Sequence, residues 1–360
     1  MIGIVGGGLA GLVAAHELTR AGNPVTILER APRPGGQIWT ESSGGFVIEH
    51  GAEGYAAGRG SATELIGELQ LTGRLVSQNT RSSMILRCGR LEPLSLSEAA
   101  RLAGIQADRT DLGHGIASFR GGTGELVSAL LTAVAGRATL RLGTEVARLA
   151  AGSRGWRVTT EQGDAMEVEA VILAIPAAAA ATLVAPVSRD AAAILESFPV
   201  VSSVSVTLAC PASAVALPRD AGGFIAPGGG EQEGFRACDF ASAKFPGRSP
   251  AGLALLRVFF RPGAEYPLDA PDGRWVDLAI AAVWPALGIQ ARPERAWVAR
   301  WPGALPRYTP NHTASIGAAT SLLNGGPPLR LAGASYRASG IAGAIESARA
   351  AAHTLGAGNS

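Results

Sequence analysis

The chain opens on a short apolar run, Ile2-Gly3-Ile4-Val5, that breaks into glycines at 6, 7, 8 and 11. A helical pattern over 9–21 follows, then a second apolar run over 24–29 that ends on Glu29. Strand, helix, strand is a βαβ start. The run 47–54 predicts another strand entering a glycine turn, and 61–72 an amphipathic helix. Met84 to Leu91 reads as a hairpin turning at Cys88-Gly89. Ser95 with Glu98 three residues later forms a capping box for a short helix over 95–104. Arg120-Gly121-Gly122 leads into a helix ending near Ala135. Strands follow at about 138–142, 145–150, 155–161 and 166–175, the last three as a β-meander ending in a buried strand. Alternation over 200–209 predicts a strand of a second sheet, with 222–226 and 253–261 as its candidate partners. A loop at 227–230, a helix at 272–288, strands at 296–302 and 329–333, and a helix at 341–355 complete the pattern.

Ala170 to Val187 carries no charge for 18 residues, the length of a spanning-helix candidate. Pro176 and Pro186 interrupt it, and 171–175 is rich in β-branched residues. The reading is a buried strand followed by a short helix over 177–184, with no stable membrane insertion. At 360 residues the chain is long enough for two domains. The net charge of +2 gives no broad basic face, so no nucleic-acid partner is expected. Of 31 Lys and Arg residues, Lys244 is the only lysine. This reads as a composition bias and not as function. Cys88, Cys210 and Cys238 lie far apart and match neither a disulfide framework nor a metal-ligand spacing. A reducing cytoplasm is therefore expected, with no bound metal. The glycine motif begins at residue 2, so no signal peptide is expected ahead of it.

The opening pattern has chemistry to match. Gly6 permits a tight turn, Gly8 lets backbone approach a pyrophosphate, and Gly11 lets helix pack closely on strand. The helix start offers free N–H groups and a positive dipole end. Glu29 can accept hydrogen bonds from ribose hydroxyls. Together they point to dinucleotide binding, against an ordinary glycine-rich turn. Arg30-Ala31-Pro32-Arg33-Pro34-Gly35-Gly36-Gln37-Ile38 follows directly. Arg33 either grips pyrophosphate charge with its fork or is solvated on a proline-rich loop.

Eight blocks in order resemble the protoporphyrinogen/coproporphyrinogen oxidase branch of the flavin monoamine oxidase superfamily. They are 5–12, the Arg33/Gly35-Gly36 loop, Glu49-His-Gly-Ala-Glu53, Phe119-Arg-Gly-Gly122, Val171 to Pro176, Ser242 to Arg248, Arg300 to His312, and Leu331 to Ile341. The resemblance implies an α/β fold, with an FAD-binding, GR2-type Rossmann-like domain interleaved with a smaller mixed-sheet substrate domain. The FAD-binding domain would comprise 1–60, 119–180 and 327–360. The substrate domain would comprise 61–118 and 181–326. It further implies that Gly6, Gly8, Leu9, Ala10 and Gly11 face the pyrophosphate and that Glu29 and Arg30 lie by the adenosine. Arg33, Gly35, Gly36, Gln37 and Ile38 would line the phosphates and ribityl chain. His50, Gly51, Ala52 and Glu53 would run beside the isoalloxazine. Val146 would contact adenine through its backbone. Ala174 would lie beside the cofactor, and Trp301 would pack near the flavin. Gly333 and Ala334 would close on the ribityl phosphate, and Gly340, Ile341 and Ala342 would point a helix start at flavin N1 and O2. The implied chemistry is desaturation, with hydride passing from a substrate carbon to flavin N5 and O2 or another acceptor reoxidising the flavin. FAD would be held without a covalent bond, since no cysteine lies near 333–342.

Two departures bear on substrate. Amine oxidases of this superfamily place a lysine near flavin N5, in the strand that maps to about 200–206. Here that strand has none. The porphyrinogen oxidases insert a long helical segment where only about 25 residues separate Pro93 from Phe119. The site is then open, built for another substrate, or closed by a protein partner over 93–118. A porphyrinogen, an amine or an amino acid remain the candidate substrates, and a flavin-binding partner protein with little turnover is a further reading. Candidate polar groups are His50 as proton acceptor or structural residue, and Tyr336 and Arg337 near the flavin face. His114 reads as a loop residue, His312 as a helix-start residue, and Arg236 with Asp239 either as residues lining the second-domain sheet or as a solvated pair.

Overall fold

The computed structural model describes residues 1–58, 60–80, 82–95, 98, 99, 102, 115–226 and 233–356. A parallel five-stranded sheet forms around the opening strand Ile2–Val5. Val25–Leu28 and Ala170–Leu173 flank it, Ala138–Arg141 lies beyond the first, and Leu329–Leu331 forms the opposite edge. Three of these strands are buried at every position, because helices or strands cover both faces. Alternate residues divide between two cores. Ile2, Ile4, Val25 and Ile27 pack with the helices Leu9–Arg20, Gly124–Val134 and Gly340–Gly356. Val5, Leu28, Val171 and Leu173 pack with the helices Ala177–Val184 and Arg189–Glu196 and with Trp156.

The expected strand over 166–175 is two strands in different sheets. Ala165–Val168 closes an antiparallel meander with Gly155–Thr160 and Val146–Gly152, while Ala170–Leu173 joins the parallel sheet. The break falls at Glu169. Its N–H donates to Met1 O at 3.0 Å, and its carboxylate accepts from the Met1 ammonium at 2.9 Å. The strand expected at 138–142 also belongs to the parallel sheet.

A mixed seven-stranded sheet runs, in order, Arg295–Pro306, Val200–Pro211, Leu253–Arg261, Gly234–Asp239, Ala221–Ile225, Ser82–Arg87, Arg90–Leu94. Of the two expected partners of 200–209, only Leu253–Arg261 pairs with it. Ala221–Ile225 lies two strands beyond, because the unexpected strand Gly234–Asp239 intervenes. That strand buries only its Gly234 and Cys238 positions, so it carries no clean alternation. The helix Asp272–Leu287 covers the sheet with Trp275 and Trp284. Cys88 (φ 46°) and Gly89 (φ 76°) are both left-handed, the signature of a type I′ hairpin turn.

The helix expected over 61–72 stops at Glu68. Arg189–Glu196, capped by Ser188 Oγ accepting from Ala191 N, was not expected. His312 does begin a helix, His312–Leu323. The Ser95–Glu98 capping box forms, with Glu98 N donating to Ser95 Oγ at 3.3 Å. Residues 96, 97, 100, 101, 103 and 104 of the expected 95–104 helix, the polar turn with His114, and the 227–230 loop lie outside the described residues. Among the described residues, no helix is long and apolar enough to cross a membrane.

Candidate cofactor and active site

The glycines at the first strand-to-helix turn have different causes. Gly6 has φ +104°, and a Cβ there or on Gly11 would overlap a backbone oxygen, that of Ala174 or Gly6 respectively. The fold itself requires both. Gly8 is different. Its φ of −72° and ψ of −177° suit any residue, and the nearest atom to an added Cβ is Gly36 Cα at 3.7 Å. Gly8 caps the helix Leu9–Arg20, which has no side-chain cap and no acid in its first turn. A helix start without a capping acceptor, facing a bare glycine surface, fits an anionic ligand brought against the backbone.

Gly35 lies opposite Gly8 in an isolated bridge, and its N–H donates to Gly7 O at 2.8 Å. Glu29 accepts from Gly7 N at 2.6 Å and from Ala31 N at 2.8 Å, so its carboxylate is aimed by the turn it serves. Arg33 donates to the carbonyls of Pro34, Ile38 and Gly36 and sits 4.6 Å over the Trp39 ring. Here it braces its own loop. Arg30 is exposed, 3.9 Å from Glu145. Gln37 Nε2 donates to Ala304 O, and Ile38 is buried. Leu9 and Ala10 are buried in the first core, Ala174 N donates to Val5 O, and Val146 opens its strand beside a bulge. A Cβ on Gly333 (φ +125°) would lie 3.7 Å from Ala10 Cβ, and Gly333 N donates to Ser347 Oγ. Ala334 O accepts from Tyr308. Gly340 (φ +81°) begins the last helix, again with no acid in the first turn, and Ile341 and Ala342 pack into the first core. These residues fit an extended dinucleotide such as FAD, with two helix starts, at Gly8 and Gly340, that carry no acid in their first turns.

The segment 50–53 is tied down atom by atom. His50 O accepts from Trp301 Nε1 at 2.8 Å, Arg257 Nη2 at 2.9 Å and Ser205 Oγ at 3.1 Å. Gly51 O accepts from Arg257 at 2.6 Å, and a Cβ on Gly51 would overlap Gln37 O. Ala52 bonds to Gln37 O and Thr123 Oγ1, and Glu53 O accepts from Ser118 Oγ. The His50 ring meets Glu41 Oε2 at 3.0 Å and lies 4.0 Å from the Trp39 ring. Burial lowers its pKa, with Glu41 opposing, and the cationic ring is disfavoured. Tyr336 is buried, and its hydroxyl donates to Ile175 O at 2.7 Å. Arg337 is exposed and paired with Glu346 at 2.8 Å.

Beneath this segment lies a set of charges that sequence reading did not find. Glu53 Oε2 accepts from Lys244 Nζ at 2.7 Å, and Lys244 also reaches Asp239 Oδ2 at 3.2 Å. The expectation of a solvated Arg236–Asp239 pair is therefore corrected: Asp239 pairs with Lys244, which turns back one helical turn beyond it. Burial alone would raise the Glu53 carboxyl, but Lys244 and then Arg257 hold it below the usual range. Burial raises Asp239 against the pull of Lys244. Glu49 lies 3.6 Å from Arg248, and burial raises its pKa as well. The one signal available in sequence was the solitary lysine, read as composition.

A parallel α/β sheet with a glycine cradle, joined to a mixed sheet that closes over residues 50–53, defines a two-sheet nucleotide-dependent oxidoreductase. A family model described as flavin containing amine oxidoreductase matches residues 74–355, and one described as NAD(P)-binding Rossmann-like domain matches 4–69. The chain belongs to the flavin containing amine oxidoreductase family. It is an FAD-dependent oxidoreductase, and its relatives place it with the protoporphyrinogen/coproporphyrinogen oxidase branch. A coproporphyrinogen III oxidase of Propionibacterium freudenreichii is 34% identical over 64% of this chain and 43% of its own length. The chain thus spans less than half of that relative in the matched region. The coproporphyrinogen III oxidase of Bacillus subtilis is 24% identical over 97% of this chain and 96% of its own. That alignment runs over 454 positions, against 360 residues here, so the relative carries inserted residues that this chain lacks. A crystal structure from Exiguobacterium sp. 255-15, provisionally assigned as a protoporphyrinogen oxidase, shares the fold with a TM-score of 0.86, 22% identity and 99% of each chain covered.

Proposed function

We propose that this chain binds FAD non-covalently and oxidises a porphyrinogen-like macrocycle, using O2 or another acceptor. The observation that carries the FAD reading is Gly8, a glycine that neither backbone strain nor protein packing requires, at an uncapped helix start. When bound, FAD supplies the hydride-accepting centre. The protein binds, orients and excludes water. The N–H groups after Gly8 meet the pyrophosphate, Glu29 meets the ribose, and Gly333 and Ala334 close on the ribityl side. The Gly340–Ala342 helix start favours negative charge at the far end of the cofactor. Arg257 and Trp301 hold the 50–53 edge, and His50, paired to Glu41, stays uncharged beside it. Arg337 is the exposed candidate for a substrate carboxylate, whereas the Tyr336 hydroxyl is already committed to Ile175 O.

The porphyrinogen reading draws on the coproporphyrinogen oxidases that match across nearly the whole chain. The lysine-free strand Val200–Pro211, with Ser203 and Ser205 in the region concerned, argues against an ordinary amine oxidase. The segment 93–118 is proposed as the substrate-facing wall or as the seat of a protein partner, in a protein of the cytoplasm. The test is anaerobic titration of the FAD-loaded protein with coproporphyrinogen III, protoporphyrinogen IX and a panel of amines. Loss of visible flavin absorbance with a porphyrinogen is expected. If neither porphyrinogen reduces the flavin, the substrate reading fails, and if the protein takes up no FAD, the whole reading fails.

A further inference from the structure

Arginine fills every cationic side-chain position of this chain except one, since Lys244 is the single lysine among 31 basic residues. A random survivor of such a bias would be expected on the surface, where Lys and Arg exchange freely. Lys244 is instead 8% exposed. It ends the short helix Ala241–Lys244, and its ammonium lies between two carboxylates from different elements. Glu53 follows the strand Phe46–Glu49, and Asp239 ends the strand Gly234–Asp239. A compact point charge with three donors can serve two carboxylates at 2.7 and 3.2 Å. A planar guanidinium demands more room and a different geometry.

The same pocket holds further charge. Arg257 and Arg248 face Glu53, and Glu49 faces Arg248. Three cations therefore balance three carboxylates below the 50–53 segment. The backbone carbonyls of that segment are bound to Arg257, Thr123 and Ser118, and its one carboxylate is bound to Lys244. Take away the ammonium and the buried Glu53 carboxylate faces the partly buried Asp239 carboxylate with Arg257 and Arg248 alone. They then compete for a proton, and the charge under the segment becomes a function of pH.

We propose that Lys244 is a positioning residue for the flavin: by bridging Glu53 and Asp239 it fixes the 50–53 edge of the cofactor site and keeps the charge beneath it balanced. This rests on the proposal that Gly51 to Glu53 run beside the isoalloxazine. An unbalanced negative charge there opposes addition of electrons to the flavin.

The experiment compares wild type, Lys244→Met, Lys244→Arg and the double variant Glu53→Gln/Lys244→Met. Apoprotein unfolding in urea, FAD affinity, the visible spectrum and the flavin midpoint potential are followed between pH 6 and 9. Lys244→Met is expected to bind FAD about tenfold or more weakly, as for truncation of one partner of a buried ion pair. Its potential should fall below that of wild type by a margin that widens as pH rises. Lys244→Arg should recover the potential more fully than the affinity. The double variant removes one charge of each sign and should fold with a flat pH dependence, even if Lys244→Met alone does not fold. Wild-type spectrum, affinity and potential in folded Lys244→Met would overturn the proposal, as would wild-type FAD affinity and spectrum in the double variant, which lacks the bridge to Asp239, where the single one is unfolded. Failure of wild type to bind FAD would instead sink the reading on which it rests.

Discussion

Glu49 makes the heaviest demand of any single side chain beneath the cofactor site. Its carboxylate accepts from Thr123 N at 2.6 Å, Thr40 Oγ1 at 2.8 Å and Thr123 Oγ1 at 2.9 Å. Arg248, 1% exposed, sits 3.6 Å away and donates from Nη2 to Ser118 Oγ. Arg248→Met leaves the carboxylate uncompensated and should cost about 3–5 kcal/mol in urea unfolding. Glu49→Gln/Arg248→Met should recover most of that loss, and strict additivity of the two single changes would contradict this account. Histidines set a second, independent effect. Burial lowers the pKa of His16 and His50 below the ordinary 6.5, against nearby glutamates. The unfolded chain then binds protons first as pH falls, so this stability is complete above about pH 6.5 and is lost toward the folded values. Urea midpoints should be level from pH 8 to 7 and drop between 7 and 5.5, above the range of ordinary carboxylates. His16→Gln should flatten the drop, because both ring nitrogens of His16 are buried without a hydrogen-bond partner. None of these partnerships was legible in the sequence. Glu49 and Thr123 are 74 positions apart and Glu53 and Lys244 are 191 apart, and only the fold brings them together.

Elements with local causes were legible, and those decided by distant packing were not. The type I′ turn at Cys88-Gly89 needs two left-handed residues, and its dipeptide announced it. A Cβ on Gly89 meets nothing within 4 Å, so Gly89→Val should cost about 1–2 kcal/mol from backbone strain alone, read as a lower melting temperature. The run 166–175 looked like one strand because its apolar positions are continuous. Its division at Glu169 depends on Met1, which no local pattern reports. At the helix start Leu9–Arg20 two consequences of one change oppose each other. Gly8→Asp supplies the missing cap and should hold the apoprotein as stable as before or a few tenths of a kcal/mol more so. The same carboxylate fills the cradle and repels phosphate, so FAD affinity should fall by at least about tenfold. Calorimetric titration alongside apoprotein melting checks both signs, and unchanged affinity would remove the pyrophosphate from this turn.

Across the whole molecule the opening of the parallel sheet was readable, because Ile2–Val5 and Val25–Leu28 are short apolar runs on either side of a helix, whereas Ala170–Leu173 was merged with the meander strand before it. The order of the mixed sheet was not readable, because a half-buried strand, Gly234–Asp239, sits at its centre. The two sheets meet through the stretch 46–53. Its first half pairs with Thr40–Ser43 and its second half is bound by Ser205 and Arg257 of the mixed sheet and by Lys244. This joint gives the protein an intrinsic clock. An acylating reagent that attacks unprotonated amines has one side-chain target in the entire chain, and that target is sealed. Each acetyl mass added at Lys244 would record one separation of the 50–53 stretch from the mixed sheet. The rate of its appearance in peptide mass spectra should slow when FAD is added and rise at low urea concentrations, before the global transition. Acylation as fast in the folded protein as in the unfolded chain would show that the joint does not hold.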